Sequence, residues 1–125
     1  LPQRAPRVAG LEVAGASVPA QEVGGDYFDY LDGAAGYLAV MIGDVSGKGT
    51  SAALYMSKLQ GIIRSLHGFG LTPRQLFVRT NDLLGRDMER RAFVTVLGAF
   101  FDTISRTVTV ARAGHLPLYH YRAAT

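Results

Sequence analysis

Residues 26–45, DYFDYLDGAAGYLAVMIGDV, hold two β-prone runs around a glycine-containing turn. This pattern predicts a β-hairpin. A turn centred near residues 34–36 sets the facing pairs, which are Asp26 with Asp44, Phe28 with Ile42 and Tyr30 with Val40. Because side chains alternate between the two faces of a strand, these pairs share one face. We expect that face to be an apolar stripe that ends in two opposed carboxylates.

The opposed carboxylates of Asp26 and Asp44 are the candidate catalytic and metal-binding groups. Like charges that face each other in a sheet are unfavourable, and burial at the end of an apolar face raises the cost. The repulsion is relieved if one carboxylate takes a proton or if a cation binds between the two. Ligands that offer only oxygen favour Mg²⁺ or Mn²⁺. For Asp32 and Asp102, which lie in turns, capping of backbone groups is the favoured interpretation.

The loop after the hairpin, GDVSGKGT at residues 43–50, leads directly into a predicted helix. The free N–H groups and the dipole of a helix N-terminus favour an anion such as phosphate. Cation-binding carboxylates beside such a helix start indicate metal-assisted phosphoryl chemistry. The loop is not a P-loop, because Gly49 follows Lys48 where that motif requires serine or threonine. An ATPase is therefore disfavoured.

Periodicity and turn signals predict the other elements of the chain. In chain order they are a strand over residues 11–18, the hairpin, helices over 51–66 and from 73 to about 85 or 88, and strands over 92–101, 106–112 and 118–121. Thr72 is the predicted N-cap of the second helix, and Gln75 completes a capping box. The inward side chains of that helix are predicted to be Leu76, Thr80 and Leu83 or Leu84. The order β, ββ, αα, βββ predicts an α+β domain with an antiparallel sheet.

Composition limits the classes of protein to which the chain can belong. Its 125 residues suit one domain, and 48% hydrophobic with 18% charged residues excludes intrinsic disorder. The absence of cysteine excludes a disulfide scaffold and a thiolate metal site. The longest apolar run, residues 92–101, is too short for a membrane span, so we expect a cytoplasmic protein with no membrane partner. The net charge of +3 comes from scattered basic side chains without a nucleic-acid motif, so no nucleic-acid partner is expected.

His115 is a weaker catalytic candidate than the aspartates. It lies in AGHLP, residues 113–117, at a strand break where a turn histidine commonly bonds backbone groups. That structural role is favoured over the role of a catalytic base. His67 is assigned to a helix end, and no histidine has metal-ligand spacing to the carboxylates. The sequence also lacks a readable Ser–His–Asp arrangement and a GxSxG elbow.

Four ordered blocks of the chain resemble a known family. They are PAQEVGGDYFDYLD at residues 19–32, IGDVSGKGTSAALYMSKL at 42–59, AFVTVLGAFFD at 92–102 and RAGHLPLYHY at 112–121. Together they resemble the SpoIIE/RsbU-type serine phosphatases, a bacterial branch of the metal-dependent PP2C (PPM) phosphatases. The resemblance spans essentially the whole chain.

The resemblance implies a phosphoprotein serine/threonine phosphatase on an α/β-β/α layered sandwich with antiparallel sheets and a central helix pair. It implies a binuclear Mn²⁺ or Mg²⁺ site that activates a bridging water to attack phosphorus, without a phosphoenzyme. The substrate implied is a phosphorylated regulatory protein, typically an anti-anti-sigma protein of the STAS type that controls sigma factors.

Residue by residue, Asp44 matches the family's bridging aspartate and Asp26 its first-strand ligand. Val45 occupies the position whose backbone carbonyl reaches the metal. The glycines that let the backbone pass close to the site are matched by Gly24, Gly25, Gly47 and Gly49. Asp29 also matches a usual family position, but the hairpin register puts it on the opposite face, so we expect a structural role.

The family's remaining metal ligands are aspartates beyond the AGHxP block, whereas this chain stops at Thr125 and its last acidic residue is Asp102. We therefore expect residues 1–125 to be a single truncated phosphatase domain, the front portion of a larger catalytic unit. The alternative is a degenerate, non-catalytic module that binds a signalling partner. Sheet edges left open by truncation predict a homo-oligomer or strand exchange.

Overall fold

The computed structural model of the chain describes residues 1–18, 25–46, 50–86, 88 and 92–124. Its elements are β1 (Asp26–Asp32), β2 (Tyr37–Val45), α1 (Thr50–His67), α2 (Pro73–Gly85), β3 (Val94–Asp102) and β4 (Thr107–Ala113). The four strands form one antiparallel sheet in the order β1-β2-β3-β4. The predicted α+β class with an antiparallel sheet and a helix pair is confirmed. In the described residues the fold comprises one sheet and one helix layer.

The register of the β1–β2 hairpin is the one that the turn position predicts. Asp26 pairs with Asp44, Phe28 with Ile42 and Tyr30 with Val40. The turn is closed by the backbone N–H of Tyr37, which donates to the carbonyl of Ala34 at 2.9 Å. Gly36 has φ +83°, a conformation that glycine adopts without steric cost.

The start of α2 is also as predicted. The Thr72 hydroxyl accepts from the Gln75 backbone N–H at 3.1 Å, and the Gln75 side chain accepts from the Thr72 N–H at 3.0 Å. The buried side chains of α2 are Leu76, Thr80 and Leu84. Of the two leucines predicted to face inward, Leu83 does not, because it is 41% exposed.

The core lies between the sheet and the two helices, on the sheet face that we call the helix face. Its buried members from the strands are Tyr27, Leu31, Ala39, Met41, Val45, Val96 and Phe100, and those from the helices are Leu59, Ile63, Leu76 and Leu84. Strand alternation sends the odd-numbered residues of β1 into this core and the even-numbered ones to the opposite face, the outer face. Asp26 and Asp44 lie on the outer face.

An ion pair ties β1 to α1 inside the helix face. Asp29 is fully buried, and its two carboxylate oxygens accept from Nε and Nη2 of Arg64, each at 2.7 Å. The Tyr30 backbone N–H also donates to Asp29, at 2.9 Å. Asp29 therefore lies on the face predicted for it, opposite the Asp26–Asp44 pair. Burial, and next the Asp29 charge, raise the pKa of the neighbouring Tyr27 above its usual value.

Two predicted strands are wrong. Residues 12–18 have no regular structure, and only an isolated bridge joins Val8 to Leu11. Within this segment Gly15 lies against the ring of Phe28 and the hydroxyl of Tyr30 on the outer face, so close that a Cβ atom there would overlap the hydroxyl. Residues 118–121 form no strand either, because no described strand lies beside them and Tyr119 and Tyr121 are exposed. A β-prone run becomes a strand only where a partner supplies the ladder hydrogen bonds.

No helix in the described part of the chain combines the length and apolarity that crossing a membrane requires.

Candidate functional site

Asp26 and Asp44 face each other at one end of the outer face, where β1 begins and β2 approaches its end. Directly opposed residues of an antiparallel pair have Cβ atoms about 4.5–5.5 Å apart, so the two carboxylates share one small volume. The predicted pairing is confirmed, but the expected burial is not, because both aspartates are exposed. Water lowers the cost of their repulsion and also leaves the pair open to a ligand.

The apolar stripe behind the pair is less buried than the pattern predicts. Phe28, Tyr30 and Val40 are half-buried, and Ile42 is 47% exposed. Together with residues 14–17, the stripe and both aspartates line an open cavity of about 470 Å³. The carboxylate pair thus lies at the mouth of an apolar groove.

Because Gly25 has no side chain, the backbone of Val45 packs closely against it, next to the Asp26–Asp44 pair. A Cβ atom at residue 25 would overlap the carbonyl oxygen of Val45. The same two residues are joined by a hydrogen bond of 2.8 Å, which the Val45 N–H donates to the Gly25 carbonyl. Only glycine admits this approach, which sets the Val45 carbonyl oxygen beside the start of β1.

The donors at this end of the sheet fit a hard divalent cation. Two carboxylates and a backbone carbonyl offer only oxygen, the ligand type that Mg²⁺ and Mn²⁺ prefer. Over the residues that the structure describes, no group of three or more His, Cys, Asp or Glu side chains forms a metal cluster. Asp26 and Asp44 are the paired carboxylates that the described residues supply here, so any further carboxylate ligand would come from elsewhere.

Ser46 and the start of α1 follow the pair along the chain. Ser46, just after β2, is fastened to the start of β3: its N–H donates to the Phe93 carbonyl at 2.9 Å, and its hydroxyl accepts from the Phe93 N–H at 2.7 Å. Helix α1 begins at Thr50, so the helix start follows the pair within a few residues, as predicted. The predicted loop glycines Gly24, Gly47 and Gly49 lie outside the described residues.

His115 lies on the same side of the sheet as the aspartates. Its Nδ1 shares a hydrogen bond of 2.8 Å with the hydroxyl of Thr95, and Thr95 pairs with Asp44 across β2 and β3. Gly114, at φ +71°, turns the chain after β4 and forms a parallel bridge to Val96. His115 thus bonds a threonine hydroxyl, and not the backbone groups that its turn position suggested.

Sequence reasoning missed two residues of this site, Thr95 and Arg112. Arg112 pairs with Leu97 on β3, two residues from Thr95, so both side chains belong to the outer face. An open cavity of about 440 Å³ is lined by Asp44, Thr95, Arg112 and His115, among others. Alternate residues of a strand share a face, so counting outward from the Asp44–Thr95 pair would have found both residues. That count requires the β2–β3 and β3–β4 registers.

The turn aspartates are separate from the site. Asp102 accepts hydrogen bonds from the N–H groups of Ile104 at 2.9 Å and Ser105 at 3.1 Å, which confirms its capping role. These bonds, that of Ser105 first, lower the pKa of Asp102 below its usual value. At Asp32 the backbone carbonyl, and not the side chain, bonds the ring of His67, the last residue of α1.

The fold is that of the PP2C-like phosphatases. The chain superposes on the crystal structure of the RsbU and RsbW domains of Rv1364c from Mycobacterium tuberculosis with a TM-score of 0.66 and 28% sequence identity. That match covers 88% of this chain and 29% of the solved chain. The family model described as Stage II sporulation protein E (SpoIIE) matches residues 34–125. The chain therefore belongs to the SpoIIE family.

Two curated proteins are similar to the chain in sequence. The chain is 31% identical over 118 residues to phosphoserine phosphatase RsbU of Bacillus subtilis (strain 168). The matched segment covers 94% of this chain and 35% of RsbU. It is 34% identical over 68 residues to protein IcfG of Synechocystis sp. (strain ATCC 27184 / PCC 6803 / Kazusa). This second matched segment covers 54% of this chain and 11% of IcfG. The chain thus spans about a third of RsbU.

Proposed function

We propose that this chain is part of a metal-dependent protein phosphatase that hydrolyses phosphoserine or phosphothreonine on a regulatory protein. The observation that carries the proposal is the exposed Asp26–Asp44 pair beside the Gly25–Val45 contact. Membership in the SpoIIE family and the name of the relative phosphoserine phosphatase RsbU support the reaction class.

In this proposal Asp26, Asp44 and the Val45 carbonyl hold a divalent cation, Mn²⁺ or Mg²⁺. A bound ion would supply positive charge that activates water and neutralises phosphate. The residues of this chain position the ligands of the ion. The hairpin register places the two carboxylates opposite each other, and the lack of a side chain at Gly25 leaves room for the Val45 carbonyl oxygen. Gly24, Gly47 and Gly49 are proposed to support the loops around the ion. A binuclear site would need further carboxylates beyond those described.

We propose that the substrate is a phosphorylated partner of the anti-anti-sigma (STAS) type. The similar protein of Mycobacterium tuberculosis carries an RsbW domain in the same chain as its RsbU domain, which fits a role in signalling by protein partners. The apolar groove behind the carboxylates offers such a partner a surface beside the reacting group. Residues 1–125 would form the front portion of the catalytic domain.

The proposal is tested by hydrolysis of a phosphoserine peptide by the full-length protein with Mn²⁺. Asp44→Asn keeps the size of the side chain and removes its charge, so the rate should fall by at least about 100-fold. Asp82→Asn, an exposed change on α2, is the matched control and should leave the rate unchanged. An unchanged rate in Asp44→Asn would refute the proposal.

The alternative is a non-catalytic module that binds a partner. It is favoured by the observation that the described residues contain no group of three or more metal-ligating side chains. Calorimetric titration of the 125-residue chain with Mn²⁺ distinguishes the two: tight binding of two ions by this chain alone would exclude the alternative.

A further inference from the structure

We propose that Arg112 and His115 form a phosphate-binding subsite beside Asp44, which receives the phosphoryl group of the substrate. The inference rests on the proposed phosphatase function and adds the residues that bind the anion. Its first support is the order of side chains across the end of the outer face. Acidic Asp26 and Asp44 on β1 and β2 are followed by Thr95 on β3 and by Arg112 on β4.

The second support is a shared cavity. Asp44, Arg112 and His115 line one open space of about 440 Å³, so a ligand held there meets acidic and basic groups together. Neighbouring strands lie about 4.8 Å apart, which places β4 roughly 10 Å from β2. A phosphoryl group between the two strands would have an arginine on one side and the carboxylate pair on the other.

The charge of Arg112 is available to a ligand. Its side chain is exposed, and among the described residues no carboxylate forms an ion pair with it. By contrast, the guanidinium of Arg64 donates two hydrogen bonds to the buried Asp29. A planar guanidinium binds two phosphate oxygens at once, which gives both affinity and orientation.

The position of His115 is fixed independently. The bond between Nδ1 and the Thr95 hydroxyl restrains the ring, and the left-handed Gly114 sets the chain that carries it. Because Nδ1 is occupied, Nε2 is the ring nitrogen left for a ligand. Thr95 is therefore a positioning residue, which links the histidine to the strand that faces Asp44.

This subsite resolves an electrostatic difficulty of the carboxylate pair. Two aspartates repel a phosphate, and one divalent cation between them balances their charge of −2 without leaving a net positive charge to attract the anion. A cationic side chain on the far side of the same cavity attracts the anion without competing for the cation, because an arginine offers donors and no acceptor. Substitution of Arg112 should therefore weaken anion binding and leave metal affinity unchanged.

The test compares Arg112→Gln with the unmodified full-length protein in Mn²⁺. We expect KM for a phosphoserine peptide and the dissociation constant of inorganic phosphate, measured by calorimetry, both to rise about tenfold, as for the loss of charge-assisted hydrogen bonds. The value of kcat should stay within about threefold, and Mn²⁺ affinity should not change. Arg79→Gln, an exposed change on α2, is the matched control.

Unchanged KM and phosphate affinity in Arg112→Gln would overturn the inference, and so would a fall in kcat with phosphate affinity intact. Arg112→Lys keeps the charge without the planar fork and should give a smaller rise, which provides a second reading if the glutamine variant folds poorly. The inorganic phosphate arm reports the anion site itself, and the peptide arm reports the substrate. If Asp44→Asn leaves hydrolysis intact while Arg112→Gln weakens phosphate binding, the proposed function fails and the anion site stands.

Discussion

The buried ion pair between Asp29 and Arg64 provides a prediction whose magnitude follows from the structure. The change is Arg64→Met, which keeps most of the aliphatic stem of the side chain and removes the guanidinium. It would leave Asp29, which is fully buried, with the Tyr30 N–H as the partner that the structure describes for its carboxylate. Two hydrogen bonds of 2.7 Å would be lost from that carboxylate.

Removing one partner of a buried ion pair costs about 3–5 kcal/mol, because the remaining charge is uncompensated. The side chain of Arg64 is 53% exposed, so water screens the pair from one side. The lower end of the range therefore applies, and we expect a loss of about 3 kcal/mol in the free energy of unfolding. With an m-value of about 2 kcal/mol/M, the urea midpoint should fall by about 1.5 M.

The assay is urea unfolding of four proteins: the unmodified protein, Arg64→Met, Asp29→Asn and the double variant. In the Asp29→Asn background no buried charge remains, so Arg64→Met should cost less than about 1 kcal/mol there. Arg79→Met, an exposed change on α2, is the control and should stay within about 0.5 kcal/mol of the unmodified protein. Equal costs of Arg64→Met in both backgrounds would mean that the guanidinium does not stabilise the buried charge of Asp29.

Three further predictions concern the site, the core and the sheet edges. Gly25→Ala should weaken Mn²⁺ binding at least about tenfold by calorimetry, because the added Cβ overlaps the Val45 carbonyl; an unchanged affinity would separate Gly25 from the metal site. Because the pKa of Tyr27 is raised in the folded protein, its hydroxyl ionises first in the unfolded chain, above pH of about 10. The free energy of unfolding is therefore unaffected by ionisation of this group below that pH and falls as the pH rises toward the higher folded-state value. Tyr27→Phe should therefore flatten the decline of stability in alkaline solution, and an equally steep decline would contradict this assignment. The edge strands β1 and β4 should promote self-association of the 125-residue chain, and a clean monomer in sedimentation at high concentration would count against it.

The hairpin could be predicted from sequence because its turn fixes its register. Once the turn was placed, the pairing of Asp26 with Asp44 followed by counting, and so did the opposite face for Asp29. The start of α2 was equally local, since Thr72 and Gln75 satisfy each other's backbone groups. Features set by a few neighbouring residues were the ones that sequence patterns captured.

The predictions that were wrong or incomplete concern features that depend on distant parts of the chain. Alternation over residues 11–18 has no described strand to pair with, and that segment instead packs on the outer face through Gly15. The exposure of Asp26 and Asp44 depends on what covers the outer face, which a hairpin pattern does not contain. The link from Thr95 to His115, and the place of Arg112 beside them, require the β2–β3–β4 register and the turn at Gly114.

The proposed cation site depends on Asp26 and Asp44 together, and equilibrium binding of Mn²⁺ measures that dependence. Calorimetric titration of the full-length protein with Mn²⁺ should be repeated for Asp26→Asn, Asp44→Asn, the double variant and the control Asp82→Asn. We expect each single change to weaken one class of Mn²⁺ site at least about tenfold, and the double change to abolish binding at that site. Unchanged Mn²⁺ affinity in the double variant, with the fold intact, would mean that the two aspartates do not hold the cation.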